Sequence, residues 1–408
     1  MATTITRAQA NKIMQVALFT EANRPRSMVN ILTDLQAAPK AVRADRPGTK
    51  QSSFLAPVVR ITDLNKNPGD EVDMQIMYKL NKMPTMGDQK LAGRAEDLNM
   101  GSFGIRIDQG RHLVDAGGRM SQKRTKHNLR DAARTLLGTY FHDLQDQSAI
   151  IHLAGARGDY MADDVIIPLA DHPEFKELMI NTVMPPTYDR HFFGGDATSF
   201  EGIDSADIIT MNTVDNLSLF ISEMAHPIQP VRMTGDELMN EDPYYVLYLT
   251  PRQWNDFYSS AGAKDWQAMA SRVISRSRGF SSPLFRGECV MHRNILVRQY
   301  AGMPIRFYEG SQVQVSKNDN QASVTTVEAK TNIDRAILLG GQALANAFGG
   351  KDGGHFNYHE ERVDHANGLE ISISWIHGLK KIRFAGKNGR MNDNGVMVVD
   401  SATTITRR

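Results

Sequence analysis

The sequence predicts an α+β fold in which a projecting two-stranded arm is followed by one very long helix. Two stretches of alternating apolar and polar residues flank a long polar loop between Gly69 and Gly117. Apolar residues then recur at spacings of three and four from Ser121 to Ala154, and further strand patterns follow in the second half of the chain. Neither the arm nor the helix can bury its apolar face within its own length, so we expect other copies of the chain to complete the structure.

The N-terminal residues predict an extended arm. Residues 1–56 contain one short amphipathic stretch and then a segment punctuated by Pro25, Pro39 and Pro47. Polar residues between Arg7 and Gln15 interrupt any apolar run, so no signal peptide is expected. No stretch approaches the roughly eighteen apolar residues of a membrane span, so no membrane is expected among the partners.

The projecting arm is predicted from two strands and the loop between them. The strands are expected around Val72–Ile76 and Phe103–Ile107, where apolar residues alternate with polar ones. About twenty residues rich in Asn, Pro, Gly and Asp separate them, and a compact domain rarely carries so long a loop without a function. Because a two-stranded ribbon is marginally stable alone, we expect this arm to lie on a neighbouring subunit.

The long helix is predicted from Ser121, a candidate N-cap, to Ala154. At 1.5 Å per residue it would be about 50 Å long. Gly117 and Gly118 are expected to break the chain before it, and no proline interrupts it. Such a helix either crosses one large domain or serves as a spine beside neighbouring copies. The predicted inner stripe is Leu129, Ala132, Ala133, Leu136, Leu137, Tyr140, Phe141, Leu144, Ser148 and Ile151.

Positive charge is concentrated at the start of this helix, where the helix dipole disfavours cations. Nearby in sequence, only Asp131 compensates it. Three explanations remain open: a solvated face, pairing with carboxylates of a neighbouring subunit, and contact with DNA phosphates. The candidate intersubunit residues are Asp70, Glu71 and Asp73 on the arm and Arg119, Lys123, Arg124, Lys126 and Arg130 near the helix start.

The rest of the chain alternates between helix and strand patterns. Helices are predicted for Asp215–Ala225 and for the segment rich in small residues, Ala336–Phe348. Strands are predicted for Tyr244–Leu249, Glu288–Val297, Pro304–Tyr308 and Leu369–Trp375.

Composition indicates a globular protein without a disulfide framework. At 408 residues and 45.5 kDa, the chain is expected to form two linked subdomains. The net charge of +1, from 47 basic and 46 acidic residues, argues against a general nucleic-acid binder. The single cysteine, Cys289, is expected to be a buried strand residue rather than a nucleophile.

The sequence predicts no enzyme, no cofactor and no bound metal. Nucleophile-elbow, dinucleotide-binding and complete phosphate-loop motifs are missing. The strongest metal candidate combines His355, His359 and His365 with Glu360 and Glu361. Neighbouring glycines predict a loop there rather than one helix face. The alternative is a metal-dependent hydrolase that uses His355, His359 and Glu360.

Several sequence blocks resemble the major capsid proteins of tailed double-stranded DNA phages like coliphage N-four. The longest block runs from GDEVDMQIMYKL at Gly69 through RTLLGTYFHDLQDQSAIIHLAGARG, and the blocks together extend from about Phe54 to about Thr403. Asp159–Ser205 shows the weakest resemblance and is interpreted as an insertion. The other blocks are DPYYVLYLTPRQW, SPLFRGECVMHRNILVRQY, RAILLGGQALANAFGG, GLEISISWIHGLKKIRF and NGVMVVDSAT.

The resemblance implies a Hong Kong 97-like capsid fold. Its parts would be an N-terminal arm, an extended β-hairpin arm, a peripheral domain with a spine helix, and an axial domain. The expected divisions are 1–56 for the N-terminal arm, 57–120 for the hairpin arm with flanking strands, 121–204 for the peripheral domain with the insertion, 205–345 for the axial domain, and 346–408 for the return to the peripheral domain and the C-terminal tail.

The resemblance also implies a function. The chain would be a non-enzymatic major capsid protein that assembles into pentamers and hexamers of an icosahedral shell around a double-stranded DNA genome. Its expected partners are copies of itself, a scaffold, a portal, a decoration protein and, by weak contact, the packaged DNA. It would belong to the virion after assembly in the host bacterial cytoplasm. The alternative within the virion is a tail or ring component.

Overall fold

The computed structural model describes most of the chain, with gaps. The start of the predicted spine helix, with Ser121, Lys123, Arg124 and Lys126, lies outside the described residues, as does His355. The described residues are 27–33, 56–61, 70–77, 80, 82–97, 100–119, 129–233, 236, 241–277, 282–300, 302–318, 324–349, 356–365, 367–385 and 390–403.

Within these ranges the chain forms helices and strands in a mixed order, as the predicted α+β class requires. The helices are α1 (Met28–Leu32), α2 (Leu129–Ala154), α3 (Pro173–Leu178), α4 (Met211–Glu223), α5 (Pro251–Ser260) and α6 (Ala263–Ser277). The strands are β1 (Val58–Ile61), β2 (Glu71–Met77), β3 (Met100–Arg106), β4 (Asp108–Gly118), β5 (His191–Phe193), β6 (Tyr245–Leu249), β7 (Cys289–His292), β8 (Ile295–Gln299), β9 (Ile305–Phe307), β10 (Gln312–Ser316), β11 (Val324–Glu328), β12 (Ile333–Leu339), β13 (Leu344–Phe348), β14 (Phe356–Val363), β15 (Gly368–Lys381), β16 (Arg383–Ala385), β17 (Met391–Asp393) and β18 (Val396–Ala402).

A seven-stranded sheet forms the centre of one half of the molecule. Its order is β5-β18-β12-β6-β8-β7, with β9 also paired to β12. Alternate residues of β6 face opposite sides, as strand geometry requires: Leu247 packs in the cluster that contains residues of α4, α5 and α6. Val246 packs instead in the cluster that contains Ile151 near the end of α2. The sheet is therefore covered on both faces.

A five-stranded sheet supports the long helix in the other half. The strand β15 lies between β13 and β14 and also pairs with β4, while β1 pairs with β13. The helix α2 packs on this sheet through Leu137 and Phe141, which meet Ile371 and Ile373 in one buried cluster. The Phe141 ring lies edge-on to Trp375, with 5.3 Å between centroids. Burial of this face explains why so long a helix is stable.

The described part of the spine helix, α2, spans 26 residues, or about 39 Å. The predicted inner stripe is partly wrong. Ala133, Leu137, Phe141 and Leu144 are buried, but Ala132 and Leu136 are exposed, and Leu136 keeps 64% of its surface. The supporting sheet contacts only a narrow side of the helix, so neighbouring apolar positions remain outside.

Most predicted elements are confirmed, but the helix predicted for Ala336–Phe348 is wrong. This segment lies in the buried strands β12 and β13. Gly340 belongs to the turn between them, and a Cβ there would overlap the Gln229 carbonyl. Small residues serve close packing here, a requirement that helical propensity does not reveal.

The glycines expected to break the chain before the spine helix lie at the end of a strand. Gly117 and Gly118 are the last residues of β4, and Gly118 pairs with Gly368 of β15.

None of the described helices is long and apolar enough to span a bilayer.

Candidate intersubunit surfaces

The projecting arm has a firmly packed base. Strands β2 and β3 pair in antiparallel register from Glu71 opposite Arg106 to Met77 opposite Met100. At the base, Phe103 and Ile105 are buried against Ile61 and other residues of the sheet region. The strand pattern predicted in this segment is therefore confirmed, and the base belongs to the core of the subunit.

Asn181 fixes the direction of this base. Its side chain accepts a hydrogen bond from the Arg106 backbone N–H at 3.0 Å and donates to the Arg106 carbonyl at 2.9 Å and the Leu379 carbonyl at 3.0 Å. Close by, a Cβ on Gly378 would overlap the Arg106 carbonyl. Asn181 thus joins the end of β3 to β15. It lies in the segment interpreted as an insertion, and no sequence motif identified it.

The distal part of the arm has the opposite character, because its apolar side chains face solvent. Met83, Leu91 and Met86 are 91%, 73% and 71% exposed. The loop nevertheless has a defined shape: the Lys82 backbone N–H donates to Glu96 at 2.9 Å, and Lys82 Nζ donates to the Ala95 carbonyl at 2.8 Å. An ordered loop that presents apolar side chains is typical of an interaction surface.

The predicted acidic residues lie near the base of the arm and are accessible. Asp70, Glu71 and Asp73 are exposed. Glu71 has a partner within its own subunit, since Arg106 Nε lies 3.5 Å from its Oε2. Both side chains of that pair are largely solvated, so the contact contributes little and leaves the acidic group accessible.

Arg130, in the first turn of the described part of the spine helix, pairs with a residue from a distant part of the sequence. Arg130 Nη2 and Nε donate to Glu360 Oε2 at 2.7 and 3.1 Å. Burial alone would lower the pKa of Arg130, but the hydrogen bond and the charge of Glu360 outweigh it and raise the pKa. This partner adds to Asp131, the compensating residue expected nearby in sequence, and lies 230 residues from Arg130. Arg119 is exposed and donates its backbone N–H to Asn367.

The histidine cluster does not form a metal centre in the described residues. The loop predicted here is wrong, because His359, Glu360 and Glu361 lie in β14. Strand alternation places His359 and Glu361 on one face and Glu360 on the other, where it binds Arg130. His365 follows β14 in a turn with φ +50°. Among the residues that the structure describes, no three His, Cys, Asp or Glu side chains could hold a metal ion.

Cys289 lies in β7, as predicted, but it is only half-buried. Burial raises the pKa of its thiol. Because the thiolate is the reactive form, this environment opposes a role as nucleophile.

A buried ion pair joins the seven-stranded sheet to the end of the spine helix. Arg335 donates from Nε and Nη2 to the two carboxylate oxygens of Asp400, each at 2.7 Å, and both side chains are fully buried. Its third nitrogen, Nη1, donates to the Ala154 carbonyl at 3.0 Å. His191 Nε2 lies 2.6 Å from Asp400 Oδ2. This network ties β12 and β18 to the C-terminal end of α2.

Known proteins resemble this chain along most of its length. The profile of the phage capsid protein family matches residues 2–405. The major capsid protein of Pseudomonas phage KPP25 is 25% identical over 364 residues, which are 86% of this chain and 88% of that protein.

Solved structures agree with this match. The capsid of Ralstonia phage GP4 has a TM-score of 0.71 and 27% identity, with 86% of this chain and 89% of that chain covered. The cyanophage Pam1 capsid shares the fold, with a TM-score of 0.55, 19% identity and coverage of 84% and 87%. These likenesses confirm the Hong Kong 97-like α+β fold. With the family match over nearly the whole chain, they show that the protein belongs to the phage capsid protein family and is a major capsid protein of the virion, where copies of it form the shell.

Proposed function

We propose that the protein assembles into pentamers and hexamers of an icosahedral shell around a double-stranded DNA genome, and that the distal arm joins neighbouring copies. The observation that carries this proposal is the exposure of Met83, Met86 and Leu91 on an ordered loop. Burying such side chains stabilises an interface by about 1.5–3 kcal/mol each. Repetition over many contacts makes modest individual interfaces sufficient to close a shell.

We further propose that Asp70, Glu71 and Asp73 pair with basic residues of a neighbouring subunit. The acidic residues are exposed, and the candidates opposite them are Arg119, Lys123, Arg124 and Lys126. We assign Arg130 primarily to its own subunit, because it donates two hydrogen bonds to Glu360.

The role we infer is structural, without catalysis. The engagement of Glu360 by Arg130 opposes the hydrolase alternative, which needs Glu360 at a metal site. By its likeness to phage capsid proteins, we infer assembly in the host cytoplasm with a scaffold, a portal and a decoration protein. The near-neutral charge supports weak contact with packaged DNA.

The arm is tested with the triple variant Met83→Ser, Met86→Ser and Leu91→Ser. We expect a soluble subunit with unchanged urea unfolding, because the replaced side chains are solvated in the subunit. We also expect few or no closed shells in negative-stain electron microscopy. The control is Asp88→Asn with Lys90→Gln, two exposed changes in the same loop. A normal shell yield from the triple variant would refute the role of the arm. Rings or tubes from the unaltered chain would favour a tail or ring component.

The charge pairing is tested by Lys123→Glu with Arg124→Glu. We expect loss of shells and recovery when Glu71→Lys and Asp73→Lys are added, as for coupled pairs. Shells that form normally but retain less DNA would assign the basic residues to DNA. Normal shell yield with normal DNA content would leave them as a solvated face.

A further inference from the structure

A short N-terminal segment packs against the spine helix, although the two are far apart in the sequence. Residues 27–33, the described part of the first 55 residues, form α1 and its two ends. Met28, Val29 and Leu32 are 5%, 1% and 0% exposed. They pack in the same buried cluster as Ile150 of α2. The segment is therefore packed into the body as firmly as a core element.

One carboxylate of the spine helix accepts the hydrogen bonds at the start of this segment. Asp146 Oδ2 accepts from the Met28 backbone N–H at 2.8 Å, and Oδ1 accepts from Val29 N–H at 3.1 Å and from Ser27 Oγ at 2.8 Å. The first N–H groups of a helix have no partner within the helix. Because α1 is too short to be stable alone, these three bonds are a large part of what orients it.

The segment also covers the junction between the spine helix and the seven-stranded sheet. A cavity of about 580 Å³ lies there, lined by Met28 and Ile31 of the segment, Asp146 of α2, and Tyr248 and Tyr300 at the sheet. The segment therefore bridges both halves from one side.

We propose that residues 27–33 form a clip that joins the spine helix to the seven-stranded sheet, and that Asp146 is the positioning residue that holds it in place. When the clip is closed, the N-terminal arm is tied to the body at this point. When it opens, the apolar seat of Met28, Val29 and Leu32 and the cavity become accessible, while both sheets and the packing of α2 on the five-stranded sheet remain intact.

Amide hydrogen exchange of the full-length unassembled subunit tests the clip. In Asp146→Asn the amide oxygen can accept one of the bonds, but its NH₂ group faces a second donor. We expect exchange within residues 27–33 to accelerate at least about tenfold, since hydrogen bonds to a charged acceptor are lost. Exchange in α2 from Leu137 to Ile151 should change less than about twofold, because opening is local.

Two variants keep the test decisive. Asp146→Glu retains a carboxylate, so residues 27–33 should keep much of their protection from amide exchange. If the substitution acted only by disturbing α2, Asp146→Glu would lose this protection as Asp146→Asn does. Asp143→Asn is the matched control: Asp143 lies one turn away and lines the same cavity, and within the described residues no hydrogen bond joins it to the segment. Unchanged exchange within residues 27–33 in Asp146→Asn would overturn the proposal. Equal acceleration throughout α2 would also overturn it, because Asp146 would then support the helix rather than hold the clip in place.

Discussion

Replacing Asp400 with asparagine removes the charge at the centre of the network that joins the seven-stranded sheet to the spine helix. The substitution conserves size, so it creates almost no cavity. Arg335 would remain fully buried with its charge, keeping only the Ala154 carbonyl and one neutral amide oxygen as acceptors. His191 would lose the carboxylate that now lies 2.6 Å from its Nε2.

The expected cost follows from two independent considerations. Leaving one charge of a buried pair without its partner costs about 3–5 kcal/mol. Burial alone would raise the pKa of Asp400, but Arg335 and His191 outweigh it and lower the pKa from 3.8 to about 2. That difference corresponds to about 2 kcal/mol at neutral pH. The second figure is smaller because a protonated carboxyl still accepts hydrogen bonds from Arg335. We therefore expect a loss of about 3 kcal/mol.

Urea unfolding of the unassembled subunit, followed by tryptophan fluorescence, measures this loss. Because the folded pKa of Asp400 is depressed, its stabilisation is complete above pH 4 and disappears as the pH falls through about 2. The difference between wild type and Asp400→Asn should thus be smaller at pH 3 than at pH 7. The exposed substitution Asp171→Asn is the control. Equal stability of Asp400→Asn and wild type at pH 7 would refute the argument.

Three further predictions concern the spine helix, buried histidines and the arm base. Phe141→Ala should lower the free energy of unfolding by about 3–5 kcal/mol, whereas Leu136→Ala on the exposed side should change it by less than about 0.5 kcal/mol; urea unfolding compares the two. Burial lowers the pKa of His152 to about 3 and of His377 to about 4, so stability should fall as the pH drops below 6.5. His377→Asn should make this pH dependence shallower in urea titrations between pH 6.5 and 4. Asn181→Ala should accelerate amide exchange at the end of β3 without affecting β6, and unchanged exchange there would contradict its positioning role.

Local sequence patterns were sufficient to predict the two strands of the arm and the spine helix. The alternation around Val72–Ile76 and Phe103–Ile107 identified the arm, and the three-and-four spacing identified the spine helix. Both patterns depend on residues that are neighbours in sequence, so they are visible without the fold. The resemblance to phage capsid proteins used these same blocks, which is why the fold and the capsid function were accessible from the sequence.

Tertiary structure decided what each element touches. The same apolar spacing places Leu137 inside and leaves Leu136 outside, because the supporting sheet covers only part of the helix circumference. The segment Ala336–Phe348 contains small residues compatible with a helix. It forms two strands instead, because it is buried between packed layers. Glu360 compensates Arg130, and Asp146 orients Ser27, across more than one hundred residues of chain. The sequence by itself thus determined the arm, the spine and the family, whereas burial and charge pairing between distant residues required the folded chain, because their energies depend on distance in space rather than along the sequence.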